Sequence, residues 1–177
     1  MDLNNKSVKE LHEIATILWY TGAEDVTTGV ARIRPLSAID RLILMEHVAN
    51  SKIWRLENSV RSAGASAAVL TRERQEINSE RNNLVYEINS AVFQQHELWL
   101  RQAKGELYAE SPGSIVDRMS ILRLKIFHGM DATEELDDLG MCLDQLLQGV
   151  KTGQKYFKLY RPLKVYEDDD CRHYPVT

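Results

Sequence analysis

Cysteine and proline are scarce in this sequence, and basic residues are not in excess. The 177 residues include 2 Cys, 4 Pro and 9 Gly. Two distant cysteines, Cys142 and Cys171, without a Cys-x-x-Cys pair exclude a disulfide framework and a zinc site built on cysteine. They also favour a reducing, cytoplasmic compartment. A net charge of -4 argues against general nucleic-acid binding, which needs a basic surface.

Long apolar runs are missing as well. No run approaches the ~20 residues that a membrane-spanning helix needs, and residues 1–9 lack the apolar region of a secretory signal. We therefore expect no association with a membrane. The hydrophobic fraction of 44% is typical of globular proteins, and the length suits one domain over residues 1–177.

The spacing of apolar residues predicts an all-α, single-domain bundle of about five helices, because the 3.6-residue period recurs and strand-like alternation does not. Ser7 and Glu10 have the spacing of a capping box, which predicts the start of a first helix that ends near Gly22. We expect a loop over residues 22–34. Residues 1–35 would thus form an N-terminal helix and loop.

The middle of the chain predicts two long helices. Ser37 and Asp40 repeat the capping arrangement and would open a helix that runs to about Ser62. Residues 63–65 are a predicted break. A central helix over about residues 66–104 would span about 60 Å, so we expect it to kink.

Two more capping arrangements predict the last helices. Ser114 with Asp117 would begin one, and Asp131 with Glu134 would begin the other. Residues 162–177 are expected to form an extended or mobile tail.

A polar stripe lies beside the apolar stripe of the helix that starts at Ser37. Its members are His47, Asn50, Trp54, Glu57 and Arg61, which fall within about 80° of each other on a helical wheel. A tryptophan among polar groups at the edge of a core can form the wall of a pocket. The alternative is an ordinary boundary face with a weak Glu57–Arg61 ion pair.

Arg74 and Arg81 interrupt the apolar stripe of the long central helix. A buried arginine must be paired, because an isolated buried charge costs several kcal/mol. Candidate partners are Glu57, Glu87 and Asp117. Two interpretations stay open: a structural Arg–carboxylate bridge, or a guanidinium directed at a phosphate or carboxylate ligand.

His128 is the candidate proton-transfer group of the next helix. Asp117 lies about 16 Å away along the same helix, so these two residues cannot form a dyad. His128 could act as general acid or base with a carboxylate from another helix. The alternative is a structural histidine at a helix C-terminus. The acidic run 167–170 is read as a solvated tail, and we predict no metal site.

Four segments together resemble a known family. They are Asn50–Glu57 (NSKIWRLE), Ile77–Asn83 (INSERNN) with Glu87, Ser111–Ile126 (SPGSIVDRMSILRLKI) with His128, and Lys158–Tyr166 (KLYRPLKVY). The chain is similar, over about residues 45–170, to an uncharacterised all-helical bacterial family that is a domain of unknown function. The PGSIVDR-x-SIL-x-LKI motif is the most specific part. Arg123 departs from the pattern, where a small residue is common.

The resemblance implies a set of site residues and a metabolic setting. The matching polar positions are Glu57, Asp117 and His128 as candidate catalytic residues, and Asn50, Trp54, Arg81, Asn82, Glu87, Ser114, Arg118 and Lys125 as candidate ligand-binding residues. Members are often encoded beside heptosyltransferases and other glycan-assembly genes, and relatives occur in phages.

The predicted function is therefore a polar, cation-lined pocket that binds an anionic small molecule: a nucleotide, nucleotide sugar or phosphosugar. The chain would be an enzyme or an accessory factor in glycoconjugate or nucleotide-sugar metabolism. The alternative is a non-catalytic interaction or sequestering protein, including one encoded by a phage. The sequence does not decide whether the chain is an enzyme, it identifies no cofactor, and it is compatible with a homodimer.

Overall fold

The structure is a computed structural model that describes residues 3–62, 67–97, 100 and 104–160. Most of these residues are helical, as the apolar periodicity of the sequence predicts. Within those residues the elements are α1 (Asn5–Tyr20), α2 (Val26–Ile33), α3 (Ala38–Ser62), α4 (Ala67–Gln95), β1 (Glu106–Leu107), α5 (Pro112–Phe127), α6 (Thr133–Lys151) and β2 (Lys155–Tyr156). The predicted all-α fold is confirmed. The described chain has six helices where about five were expected.

The start of α1 corrects the first predicted capping box. Asn4 is the N-cap, and its side-chain oxygen accepts a hydrogen bond from the Ser7 backbone N–H at 2.9 Å. Ser7 lies inside the helix and is buried. Asparagine is as good an N-cap as serine, so the helix begins one turn earlier than the Ser7–Glu10 spacing indicated.

The predicted loop over residues 22–34 is also wrong, since it contains α2. Asp25 is the N-cap of this helix and accepts hydrogen bonds from the backbone N–H groups of Thr27 and Thr28. Only Val26 and Val30 of α2 are buried. Two apolar residues at a spacing of four are too few to distinguish a short helix from a loop by periodicity.

The capping box at the start of α3 is confirmed. The Ser37 N–H donates to Asp40 Oδ2 at 2.9 Å, and the Asp40 N–H donates to Ser37 Oγ at 3.2 Å. Arg34 adds a contact of 3.3 Å from its guanidinium to Asp40. The reciprocal bonds satisfy two backbone donors that the first turn of a helix otherwise leaves without partners.

The central helix α4 has an exposed first half. Residues 71–76 are all exposed, so Arg74 does not point into the core, and that part of the predicted stripe is wrong. The helix ends at Gln95. The predicted break at 63–65 and the predicted tail at 162–177 lie outside the described residues.

The starts of the last two helices correct two more predictions. Ser111 is the N-cap of α5, with Pro112 at the first helical position, so Ser114 lies inside the first turn. Proline is favoured at that position, because its fixed φ suits a helix and its missing N–H would have no partner there. Ala132 precedes α6 and makes no side-chain capping bond, so the predicted Asp131–Glu134 box does not form.

Apolar side chains from all six described helices form one core. α3 packs against α4, α1 and α5, and α5 packs against α6. Fully buried members of the core include Val8, Leu11, Ile43, Leu44, Ile88, Ile115, Met119, Leu143 and Leu146. Burying each large aliphatic side chain stabilises the fold by about 1.5–3 kcal/mol. None of the described helices is long and apolar enough to span a bilayer.

A short parallel pairing of β1 with β2 fixes the segment between α4 and α5. The Glu106 N–H donates to the Gln154 carbonyl and the Tyr108 N–H to the Tyr156 carbonyl, both at 2.8 Å. Gly105 is required by this close approach, because a Cβ there would lie 2.1 Å from the Gln154 carbonyl oxygen. The pairing holds Tyr108 and Phe157 near the start of α5.

Candidate functional site

A cluster of polar side chains occupies the interior of the helical bundle where α1, α3 and α5 meet. Its members, each at most 4% exposed, are His12, Thr16, Glu46, His47, Asn50 and Ser120. Buried polar groups need hydrogen-bond partners, since leaving one unpaired costs about 1–3 kcal/mol. We call these six residues, together with Arg81 and Asp117 at their edge, the buried network.

His47 has partners on both ring nitrogens. Thr16 Oγ1 lies 2.8 Å from Nε2, and Ser120 Oγ lies 2.8 Å from Nδ1. Because the Thr16 hydroxyl donates its proton to the His12 carbonyl at 2.6 Å, Nε2 of His47 must donate and Nδ1 must accept. Burial lowers the pKa of His47 to about 3, with a further contribution from Arg123. The ring is therefore neutral at physiological pH.

Asn50 connects the remaining members. Its amide nitrogen lies within hydrogen-bond distance of three acceptors, Glu46, Asp117 Oδ1 at 3.0 Å and Ser120 Oγ at 3.0 Å, which share its two protons. The amide oxygen accepts from Arg81 Nη1 at 3.3 Å. Arg81 Nε also lies 3.6 Å from Asp117 Oδ1. The structure thus brings together three of the residues predicted from the sequence: Asn50 of α3, Arg81 of α4 and Asp117 of α5. Their role in binding or catalysis stays a prediction.

Glu46 is a fully buried carboxyl group, and no lysine or arginine in the described part of the chain forms an ion pair with it. Burial raises its pKa well above the ordinary value of 4.5, and the nearby Asp117 carboxylate raises it further, while Arg81 and Asn50 act in the opposite direction. Burial and the neighbouring carboxylate thus both favour the protonated form of Glu46. Arg81 supplies a positive charge beside this pair of carboxyl groups.

His12 forms the inner end of the buried network. Its ring stacks on His47 with centroids 4.8 Å apart. Neither ring nitrogen has a hydrogen-bond partner among the described residues, and Nε2 lies 4.0 Å from Glu46 Oε2, beyond hydrogen-bond distance. Burial, followed by His47 and Arg123, lowers the pKa of His12 well below 6.5.

Sequence reasoning missed His12, Thr16, Glu46 and Ser120 as site residues. A usable signal was present: Glu46 follows the buried Ile43 by three positions and precedes Asn50 by four, which places all three on one helix face. A charged residue at such a position is either paired in the core or part of a site. His12 follows the buried Val8 by four positions and precedes the buried Ala15 by three, so it also lies on a buried helix face.

Trp54 and His128 form a separate ring contact, about one turn of α3 beyond Asn50. Their rings stack with centroids 5.0 Å apart and planes 7° apart, and the Tyr20 hydroxyl is 2.8 Å from His128 Nε2. His128 is the C-cap of α5 and is exposed. Trp54 Nε1 is buried and has no partner among the described residues.

The other predicted residues lie at or near the surface, and the structure does not bring them to the buried network. Glu57 lies 3.9 Å from Arg74 on the surface, and Arg118 pairs with Glu110 at 2.6 Å. Glu87 is exposed, and Lys125 is half-buried in the last turn of α5. The three predicted catalytic residues, Glu57, Asp117 and His128, therefore lie in three different places.

Asn82 and Ser114 line a cavity of about 380 Å³ between α4, the start of α5 and the segment after β2. Its polar lining also includes Asn89, Ser111 and Lys158, and its aromatic lining comprises Tyr86, Tyr108, Phe157 and Tyr160. We call it the α5 pocket. Ser114 is one turn from Asp117 and Asn82 adjoins Arg81, so the pocket lies about one helical turn from the edge of the buried network.

Close packing of α5 on α4 shapes this pocket. A Cβ on Gly113 would lie 2.4 Å from the Val85 carbonyl oxygen, so only glycine allows the approach. The Gly113 N–H donates to Asn89 Oδ1 at 2.7 Å, and the hydroxyl groups of Ser111 and Ser114 are 2.9 Å apart. The backbone donors of the first turn are thus used internally, and hydroxyl groups face the cavity.

No group of three or more His, Cys, Asp or Glu side chains within the described residues has an arrangement that could hold a metal ion. The buried network contains two histidines and two carboxyl groups, but no three of these four side chains converge as metal ligands would. The chemistry that this arrangement supports is the holding and transfer of protons.

Comparison with known proteins gives one match. No curated protein and no solved structure matches the chain significantly. The family described as "Protein of unknown function (DUF4254)" matches residues 40–137, more than half of the chain. The matched region contains Glu46, Asn50, Arg81 and Asp117, whereas His12 precedes it. The resemblance to a domain of unknown function is confirmed, and the chain belongs to the DUF4254 family.

Proposed function

We propose that this protein binds an anionic small molecule in the α5 pocket. The observation that carries the proposal is the charge of the lining: Lys158 lines the cavity and no described carboxylate does. The cavity of about 380 Å³ lies within the ~300–1,000 Å³ range of small-molecule sites. A single ammonium group without a counter-ion in the lining favours a negatively charged ligand.

The cations predicted from the sequence are less suited to this role. Arg81 and Arg118 each contact a carboxylate, Asp117 and Glu110 respectively. A ligand would have to displace that carboxylate to gain the charge of either arginine. A ligand can reach the Lys158 ammonium group without displacing a carboxylate of the pocket lining. The positive end of the α5 dipole adds a contribution of about 0.3–1 kcal/mol for an anion near its first turn.

The walls of the α5 pocket suit a ligand that carries a ring. Tyr108, Phe157 and Tyr160 provide aromatic surfaces, on which a base or a sugar face can stack. The hydroxyl groups of Ser111 and Ser114 and the amide of Asn82 can bond phosphate oxygens or sugar hydroxyls. These groups together suit the nucleotide, nucleotide-sugar and phosphosugar classes, which agrees with a role in glycoconjugate or nucleotide-sugar metabolism as an enzyme or accessory factor.

The buried network gives the same pocket a source of protons. Asp117 is the partly exposed end of the network, and Glu46 is the buried end that favours the protonated form. If the ligand is turned over, Asp117 would exchange the proton with it, and Asn50 and Arg81 would hold Asp117 in place. Catalysis of this kind requires the ligand to reach one turn of α5 beyond Ser114.

Titration calorimetry with a nucleoside diphosphate, a nucleotide sugar and a hexose phosphate tests the proposal. We expect Lys158→Gln to weaken binding at least about tenfold, the loss of one charge-assisted contact. The matched control is Lys6→Gln, which removes an exposed lysine of α1 and should bind like the wild type. Neutral nucleosides should bind more weakly than their phosphates. Equal affinities of the two variants, or no binding of any phosphate ligand, would contradict the proposal.

A second function, as an interaction protein, is favoured by exposed apolar side chains at the ends of α1 and α5. Four apolar side chains there are between 37% and 51% exposed: Ile17, Tyr20, Phe127 and Met130. Tyr20 stacks on Phe127 at 4.5 Å, so these two form one surface. A protein partner would bury it. Light scattering after size exclusion should then show a dimer that Phe127→Ser dissociates; a wild-type monomer with unchanged ligand binding would oppose this second function.

A further inference from the structure

A second cavity, of about 200 Å³, lies between α1, the second half of α5 and the start of α6. We propose that this cavity, the α6 pocket, binds a small oxyanion of the phosphate class. Its polar lining consists of Lys9, His12, Glu13, Arg123, Thr133 and Asp137. It is separate from the α5 pocket, because Arg123 lies nine residues, or about 14 Å, along α5 from Ser114.

The strongest indication of a ligand is His12. Its imidazole is fully buried, lines the cavity, and has no hydrogen-bond partner on either nitrogen among the described residues. A neutral imidazole has one donor and one acceptor, and each unmade bond costs about 1–3 kcal/mol. An oxyanion in the cavity can accept the proton of the donor nitrogen. No other described side chain is within hydrogen-bond distance to do so.

Two cations face the same cavity, and their carboxylate partners are loosely held. Arg123 contacts Glu13 at 2.7 Å and Lys9 contacts Asp137 at 2.7 Å. The side chains of the cations are 24% and 28% exposed, whereas those of the carboxylates are 56% and 64% exposed. Exposed ion pairs contribute only about 0–1 kcal/mol each. An oxyanion in the cavity can therefore compete with Glu13 and Asp137 for the two cations, because these exposed carboxylates lose little when they turn to solvent.

The first turn of α6 adds backbone N–H donors that no side chain caps. Ala132 supplies no side-chain capping bond, although the first backbone N–H groups of a helix have no partner within the helix. Thr133, at the first helical position, lines the cavity. A helix start without a capping side chain favours an oxyanion through its N–H groups and its dipole. Glu134 and Glu135 are exposed and do not line the cavity.

The ligand class follows from the size and charge of this site. A cavity of about 200 Å³ is too small for a nucleotide and large enough for phosphate, sulfate or a small carboxylate. Aromatic side chains other than the His12 ring are not among its lining residues. The contrast with the aromatic α5 pocket predicts two ligands of different size.

The test uses the full chain and inorganic phosphate as the probe. Phosphate binding should shift the His12 ring signals in NMR spectra with a midpoint on the order of millimolar, and it should raise the pKa of His12 because an anion favours the charged ring. Arg123→Gln should weaken the response at least about tenfold. The matched control Arg72→Gln removes another arginine that pairs with a glutamate on the surface and should leave the response unchanged.

Two further variants distinguish this site from the α5 pocket. A His12 response that survives Lys158→Gln and is lost in Arg123→Gln supports the α6 pocket, whatever the result for nucleotides. A response lost in Lys158→Gln but kept in Arg123→Gln, or no response of His12 to phosphate, overturns it. If Arg123→Gln loses its helical circular dichroism, Lys9→Gln takes its place, with the same two outcomes.

Discussion

The two halves of α4 carry similar charged side chains in opposite surroundings. In the first half, Arg72 and Glu76 lie 3.3 Å apart with side chains 84% and 68% exposed. In the second half, Arg81 is only 23% exposed and contacts Asn50 and Asp117 from two other helices. The same residue type is thus a solvated surface charge in one place and part of a buried network in the other. What differs is whether neighbouring helices cover that turn.

The largest expected effect comes from breaking the buried network at its centre. Asn50→Ala removes the hydrogen bonds that Asn50 makes with Glu46, Asp117, Ser120 and Arg81, and it leaves each of these buried or partly buried groups with one partner fewer. We expect the free energy of unfolding to fall by about 3 kcal/mol. Urea denaturation measures this value.

Asn58→Ala on the same helix is the control for that experiment. Asn58 is exposed, and surface substitutions usually change stability by less than about 0.5 kcal/mol. Equal destabilisation by the two substitutions would mean that the buried network contributes no more than an ordinary surface contact.

Removing the cation of the network should have the next largest effect. Arg81→Met keeps the length and the apolar stem of the side chain but leaves Asp117 without its 3.6 Å contact. We expect a loss of about 2 kcal/mol in unfolding free energy, because a partly buried carboxylate loses its counter-charge. A double-mutant cycle with Asp117→Asn separates the pair contribution; a coupling energy near zero would show that the two groups do not interact.

The pH dependence of stability provides a third comparison. Glu46 has a raised pKa in the folded state, so the folded state binds more protons above the unfolded value of 4.5, and the free energy of unfolding falls as pH rises from there. A single carboxyl group with a raised pKa lowers the free energy of unfolding by up to about 1.4 kcal/mol per pH unit. In Glu46→Gln, the free energy of unfolding should decrease less between about pH 5 and 8 than in the wild type, as measured by urea denaturation.

His47 and His12 act in the opposite sense. The pKa of His47 is lowered to about 3 from 6.5, so the unfolded state binds more protons below 6.5 and the free energy of unfolding falls as the solution becomes more acidic. His47→Gln should reduce the loss of stability between pH 6.5 and 3. An unchanged acid slope in this variant would contradict a neutral, buried His47.

The smallest effect is expected for the exposed half of α4. Arg72→Met should change the free energy of unfolding by less than about 0.5 kcal/mol, because exposed i,i+4 ion pairs contribute little and are screened by salt. The same Arg→Met change at position 81 is its direct counterpart. A difference of less than about 0.5 kcal/mol between the two variants would remove the distinction between the two halves of the helix.

Much of the fold could be predicted because it depends on neighbours in sequence. The helical period reports burial within one helix, and the Ser37–Asp40 capping box closes over three residues, so both are visible in the chain. Capping was predicted less well where several candidates compete. Asn4 and Ser111 were preferred over Ser7 and Ser114, and the choice depends on backbone packing and on Pro112.

The sequence alone determined that Asn50, Arg81 and Asp117 each lie on a helix face next to apolar residues. Only the tertiary structure decided that these three meet while Glu57, Arg118 and His128 lie elsewhere, because helices 30 to 70 residues apart in the chain are placed by packing rather than by spacing. The same packing buries Glu46 and His12. Burial changes the proton affinity of both groups, and this change depends on the tertiary packing around them and not on residue spacing in the sequence.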